Sequence, residues 1–169
     1  KGSENTTDEA IKIIKQHKTK PFFMWIDYAD THDFISPPPF NTKFKSEKLS
    51  PKFFKVLNLN KKYNKKEKEF LKGVFKSNET INDIIARYDN ALAYNDYLMG
   101  KIIKTLKQEN ILDNTIIFFL SDHGQSLDEH KLYFTHEGLF DISLRVPLII
   151  SGKNIPKNKK LKILSQLED

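Results

Sequence analysis

Two short continuous apolar runs, Phe22-Phe23-Met24-Trp25-Ile26 and Thr115-Ile116-Ile117-Phe118-Phe119-Leu120, most constrain what this chain can fold into. Neither alternates apolar with polar residues, and neither is long enough for a core helix. Each therefore reads as a strand buried on both faces, the pattern of a parallel sheet covered by helices. A third run over residues 146–150 closes the series. Helical periodicity fills the intervals. Thr6 stands three residues before Glu9, a capping-box spacing that predicts a first helix running to about His17, where Pro21 then forbids continuation. Residues 78–109 keep an approximate 3.6-residue period through Ile81, Ile84, Ile85, Tyr88, Leu92, Leu98, Ile102, Ile103 and Leu106 despite Gly100, predicting a long helix packed on the sheet. Residues 43–77 mix lysines with Phe53, Phe54, Val56, Leu57, Phe70, Leu71, Val74 and Phe75, and read as a peripheral helical insertion. Residues 153–169 read as a lysine-rich tail. Strands alternating with helices predict an α/β fold, part of a mostly parallel central sheet with helices on both faces.

In open sheets of this kind ligands bind beyond the carboxyl ends of the strands. Two strand ends here carry acids and histidines. After the first run come Asp27, Asp30, His32 and Asp33, followed by Pro37-Pro38-Pro39, which forbids regular structure. After the second comes Ser121-Asp122-His123-Gly124. A carboxylate and an imidazole side by side at a strand end suit a divalent cation. The same four residues also fit a plain turn in which Asp122 caps the following segment, and the spacing alone does not choose between the two. His32 likewise fits a surface loop, and an aspartate-rich loop is commonly solvated.

Composition narrows the classes. The chain has no cysteine, so disulfides and thiolate metal sites are excluded within it, any metal must be held by oxygen and imidazole, and redox arguments give no compartment. The net charge of +6 is almost entirely lysine, Arg87 and Arg145 being the arginines. Forked donors for phosphate and base recognition are thus scarce, and no nucleic-acid partner is expected. The lysine run over 61–68 reads as a solvated helix face. No apolar stretch approaches the roughly 20 residues of a bilayer span. The opening Lys1-Gly2-Ser3-Glu4 lacks an initiator methionine and reads as the start of a fragment or processed chain.

The stretch from Ser121 to Ile150, S-D-H-G-Q-S-L-D-E-H-K-L-Y-F-T-H-E-G-L-F-D-I-S-L-R-V-P-L-I-I, resembles the sulfatase family of the alkaline-phosphatase superfamily. Upstream, P-F-F-M-W-I-D-Y-A-D-T-H-D-F-I-S-P-P-P is similar to the family's strand followed by a histidine and a proline-rich loop. The segment from Tyr88 to Thr115, with Asp96, Gly100 and D-N-T, is similar to the helix before its metal strand. The resemblance spans nearly all 169 residues and is weakest over 43–77 and after Gly152. It implies part of the catalytic domain of a sulfatase-type hydrolase with an alkaline-phosphatase-like fold, acting on sulfated small molecules, glycans or lipids. Asp122 and His123 become metal ligands, for Ca²⁺ first, with Mg²⁺, Mn²⁺ or Zn²⁺ as alternatives. His32 becomes the histidine at the sulfate or leaving oxygen. His136 stands where many sulfatases have a substrate-contacting lysine, and supplies in its place a donor whose charge depends on pH. His130 is a candidate hydrogen-bonding neighbour, and Arg145 is expected to anchor the loop through a carboxylate.

The family's nucleophile lies in a C/S-x-P-x-R motif converted to formylglycine, and no segment here matches it. The formylglycine is therefore expected in an amino-terminal part, together with the paired aspartates that complete the metal shell. The alternatives are a phosphodiesterase, phosphonate hydrolase, or phosphoethanolamine or phosphoglycerol transferase of the same superfamily, and, in another class, a noncatalytic basic binding module or pseudoenzyme.

Overall fold

The computed structural model describes residues 2–46 and 49–161. The chain divides into two compact units, Lys1–Thr105 and Leu106–Asp169. In the first, α1 spans Ser3–His17 with Gly2 as an extended N-cap. Thr6 lies inside the helix, so the Thr6/Glu9 spacing is not its cap. Thr7 faces inward: its hydroxyl donates to the Ser3 carbonyl at 2.8 Å, which leaves the oxygen to accept from the Tyr28 hydroxyl at 2.9 Å. Lys101, on the long helix over residues 81–108, reaches Asp8 at 2.9 Å and Glu4 at 3.6 Å from the other side.

Residues 21–29 carry no strand, contrary to the reading of the first apolar run. Phe23 is 89% exposed and Trp25 73%. An extended segment becomes a strand only when a neighbour accepts its backbone hydrogen bonds, and among the described residues no other segment pairs with it. The run then passes into α2, Asp30–Asp33, and a 3-10 turn at Phe40–Thr42 follows the prolines.

Two helices occupy the lysine-rich stretch, α3 over Phe53–Leu59 and α4 over Lys65–Val74. A capping box opens α4: Asn64 Oδ1 accepts from the Glu67 amide at 3.0 Å and Glu67 Oε2 from the Asn64 amide at 2.6 Å. These helices send Phe53, Leu57, Leu71 and Phe75 into the core. Phe75 meets Phe53 and Phe34 edge-on, each pair of centroids 5.5 Å apart. Tilted and edge-on rings avoid stacking like charge on like, which adds to the area they bury.

The long helix α5 runs over Ile81–Gln108, close to the expected span. Thr80 and Asp83 start it, Asp83 Oδ2 accepting from the Thr80 amide at 2.9 Å and Thr80 Oγ1 from the Asp83 amide at 3.2 Å. Ile81, Ile84, Leu98, Ile102 and Leu106 are buried as the period predicts, whereas Leu92 and Ile103 are exposed and Ala91 and Tyr94 take part instead. The helix ends where Asn110 enters the left-handed region at φ 57°, a conformation asparagine tolerates.

In the second unit, β1 (Ile117–Leu120) pairs antiparallel with β2 (Leu148–Ser151), Ile117 opposite Ser151 and Leu120 opposite Leu148. The expected mostly parallel sheet is not what the described residues form. A parallel return needs a crossover, usually a helix, and the connection between these strands contains only a 3-10 turn at Glu129–Lys131 and the four-residue α6, Asp141–Leu144. The chain therefore folds straight back. The third strand starts at Leu148 rather than 146 because Pro147 has no amide to give the ladder. Of the lysine-rich tail, residues 153–161 form turns and coil, and 162–169 lie outside the described residues. No described helix is long and apolar enough to cross a membrane.

The burial pattern of α5 makes a paired prediction. Leu98→Ala, at a fully buried position, should cost about 2–5 kcal/mol, and Leu92→Ala, at a position 46% exposed, less than about 1 kcal/mol, as read from urea midpoints at equal slope.

Candidate active site

The turn after β1 is fixed by its own polar groups. The Ser121 hydroxyl donates to the His123 carbonyl at 2.7 Å, and Asp122 Oδ1 accepts from the His123 amide at 3.0 Å. His123 Nδ1 lies 2.8 Å from the Gly124 carbonyl oxygen. A carbonyl only accepts, so Nδ1 carries the proton and the neutral ring keeps its lone pair on Nε2. That nitrogen is 3.8 Å from Asp122 Oδ2. The His136 ring stacks on the His123 ring, centroids 4.2 Å apart and planes inclined at 28°. Three of the four site residues expected from the sequence, Asp122, His123 and His136, thus meet in one unit.

Gly124 is needed here for a reason other than turning. Its amide donates to the Ser143 carbonyl at 2.8 Å, and a Cβ built on it would collide with the Ile142 carbonyl oxygen. Only glycine lets α6 lie against the turn. The rest of the loop hangs on Ser126 and Glu129. Ser126 is buried. Its backbone exchanges hydrogen bonds with Thr135, while its hydroxyl donates to the Leu132 carbonyl at 2.7 Å. Glu129 Oε2 accepts from the Leu127 amide at 2.8 Å and the Asp128 amide at 3.2 Å. Partial burial raises the Glu129 pKa, but the backbone amides and the Ser126 hydroxyl outweigh it and hold the carboxyl below its usual value. The S-x-x-E spacing of Ser126 and Glu129 is a signal the sequence reading passed over. His130, at φ 55°, stacks on Phe140 at 4.3 Å. Arg145 Nε lies 3.1 Å from Asp141 Oδ2, one turn earlier, in an exposed pair of the kind that contributes little.

His32 belongs to the other unit. It is exposed on α2, Nδ1 3.0 Å from Asp33 Oδ1. The helix ends at Phe34, buried with φ 55°. Two residues of α5 clamp the loop that leaves it. Arg87 Nε donates to the Phe34 carbonyl at 3.2 Å while its Nη1 holds Glu79 at 3.0 Å. Asn90 accepts from the Phe44 amide at 2.7 Å and donates to the Phe44 carbonyl at 3.1 Å. Asp27 is exposed. Asp30 is only 9% exposed, and its Oδ2 has no hydrogen-bond partner among the described residues. Burial pushes the neighbouring Tyr28 phenol up, against the Thr7 hydrogen bond, and the Asp30 charge adds to the rise. Loop composition gave no sign that Asp30, alone of the three aspartates, would be buried.

A divalent cation fits the Asp122–His123 pair as far as the pair goes. A histidine ligand characteristically donates its other ring N–H to a carbonyl, as His123 does to Gly124, and the exposed Asp122 carboxylate supplies a hard oxygen. Among the described residues no group of three or more histidine, aspartate or glutamate side chains gathers around a metal position. The pair by itself offers one carboxylate and one imidazole nitrogen.

The model of the family described as Sulfatase matches residues 2–168. The chain belongs to the sulfatase family. It is 29% identical over 180 residues to Arylsulfatase K of Rattus norvegicus, covering 96% of this chain and 32% of that protein. With an Arylsulfatase of Clostridium perfringens it shares 27% identity over 166 residues, 95% of this chain and 34% of that one. A Choline-sulfatase of Rhizobium meliloti is 40% identical over 77 residues, 46% of this chain and 15% of the relative. The crystal structure of a Bacteroides fragilis protein assigned as a sulfatase superposes with a TM-score of 0.62 at 22% identity, over 89% of this chain and 31% of that one. The fold is therefore a sulfatase-type α/β fold. This sulfatase-family chain spans about a third of the length of the full-coverage relatives.

Two outcomes test the scaffold. Gly124→Ala should lower stability by about 1–3 kcal/mol, read as a fall in melting temperature, because α6 must move off the turn. Glu129 has a depressed folded pKa, so its contribution is present above the ordinary glutamate value and lost as pH falls through the lowered one. Amide protection at Leu127 and Asp128 should drop across that acidic window in the native protein, and should already be weak and flat with pH in Glu129→Gln.

Proposed function

We propose that this chain is part of a hydrolase of sulfate esters, carrying part of its active site. One observation carries the reading: at the end of β1, in a sulfatase-family chain, a carboxylate stands beside a histidine of fixed tautomer with a second histidine stacked on it. In this reading Asp122, through its carboxylate, and His123, through Nε2, hold a divalent cation, Ca²⁺ first. Such a cation supplies positive charge at the ester's anionic group, and a formylglycine nucleophile comes from the amino-terminal part of the protein. The chain's own contribution is orientation and proton supply. Stacking fixes the plane of the His136 ring, so its N–H donors point along one plane at the anion rather than sampling all directions. His32 offers a proton to the departing alcohol oxygen, on a helix whose following loop Arg87 and Asn90 hold in place. In the whole protein, residues 22–26 enter a larger, mostly parallel sheet, which the exposure of Phe23 and Trp25 supports. The substrate is a sulfated small molecule, glycan or lipid.

The test uses the whole protein with an aryl sulfate and an aryl phosphodiester side by side. Asp122→Ala should lower kcat/KM on the sulfate at least about 100-fold and remove the response to added metal. His32→Ala should lower kcat on the same substrate with the metal response intact. Retained turnover in Asp122→Ala sinks the metal assignment, and a faster phosphodiester reaction moves the protein to the other branch of the superfamily.

A further inference from the structure

The larger of this chain's two lysine concentrations lies in the helical stretch ahead of α5, the tail after Gly152 being the other. Residues 52–76 hold nine lysines against two glutamates, a surplus of seven, while the whole chain has 28 Lys and Arg against 22 Asp and Glu, a net of +6. Summed over all its other residues the chain is at −1, although residues 153–162 add five lysines without an acid. Eight of the nine lysines are exposed, and Lys68 is half-buried. Of the two glutamates, Glu67 is engaged in the capping box of α4.

The placement also runs against helix stability. Lys65 and Lys66 are the first two residues of α4, with Lys61 and Lys62 just ahead, so four cations crowd the positive end of a helix dipole that favours anions. A stretch that breaks a local rule without a structural gain marks a functional use. On α4, Lys65, Lys68 and Lys72 share one stripe and Lys66 and Phe70 the next. Phe70 is 69% exposed, an apolar plate flanked by cations. Leu71 and Phe75, the residues that would enter a bilayer if α4 lay on a membrane, are already buried in the protein.

The segment leads towards the His32 loop. Phe75 packs edge-on against Phe34, and the next residue, Lys76, lines an open cleft of about 310 Å³ together with Ser36, Glu79 and Arg87. We infer that the α3–α4 face is a binding site for a sulfated polysaccharide, separate from the groups that carry the reaction, which holds a polyanionic substrate chain on the unit that bears His32. The inference rests on the sulfate-ester reading above and narrows its substrate class. Lysine heads act as point charges towards sulfate groups spaced along a chain, with no arginine fork to read a base edge, and the Phe70 ring offers a surface for the C–H face of a sugar. A polyanion releases bound counterions when lysines replace them, so the association weakens steeply with salt.

The experiment compares the whole protein with a variant carrying Lys61→Gln, Lys65→Gln, Lys66→Gln and Lys72→Gln. Binding of fluorescent dextran sulfate and heparin is read by anisotropy, with neutral dextran, duplex DNA and phosphatidylserine vesicles as comparison arms. The variant should melt no lower than the native protein, since it removes repulsion at the start of α4. It should bind both sulfated polymers at least about ten-fold more weakly at 0.15 M salt, with a log–log salt slope smaller by about 3 to 4, near one for each lysine removed. On a desulfating assay its KM for the polymer should rise with kcat unchanged, and its parameters on a small aryl sulfate should stay as they were. Equal polymer binding by both proteins, or native binding of DNA or vesicles as tight as that of the sulfated polymers, overturns the inference. Should neither protein turn over any sulfate ester, the reaction assignment fails, and the binding arms still decide whether the site exists.

Discussion

A buried backbone amide or carbonyl must find a partner, and where the chain has left its helices and strands that partner has to be a side chain or another loop. Both stretches bearing site residues meet this constraint in the same manner. Beyond His32, Arg87 takes the Phe34 carbonyl and Asn90 takes both polar groups of Phe44. Around His136, Ser126 takes the Leu132 carbonyl and Glu129 the Leu127 and Asp128 amides. Loops tethered in this way keep a shape that their own sequence, rich in proline, aspartate and glycine, does not impose.

The same constraint reaches the chemistry through one atom. Because the Gly124 carbonyl can only accept, it dictates which nitrogen of His123 holds the proton, and the other nitrogen, 3.8 Å from Asp122 Oδ2, is thereby made a lone-pair donor. Gly124 serves twice, as the carbonyl that sets the tautomer and as the position whose missing side chain admits α6. A backbone oxygen and an absent methyl group decide what the imidazole can do.

Much of this was legible in the sequence, and the exceptions have physical causes. The long period through Ile81, Ile84, Leu98 and Ile102 placed α5 within a few residues, since a buried stripe repeats at fixed intervals whatever it packs against. The second apolar run became β1, and His136 stacks on His123 beside Asp122. Residues 22–26 read as a buried strand because an apolar run does not say what covers it, and strand pairing depends on partners that are distant in sequence. The direction of β2 was likewise a matter of connection, which no local pattern encodes. The inward turn of Asp30 and the left-handed turn at Phe34 arise from tertiary packing on α5, and the aspartate-rich loop gave no sign of either. Thr6 and Glu9 had the spacing of a cap, yet the cap lies four residues earlier, at Gly2, with Thr7 bonded to Ser3 and Tyr28.

The exposed run at 22–26 carries one more consequence. Trp25 is the chain's sole tryptophan, and it stands in water on that run. Indole emission shifts to shorter wavelength when water is excluded, so the intrinsic fluorescence of these residues is a one-site optical reporter. It is silent on the core of either unit and sensitive to whatever closes over this run.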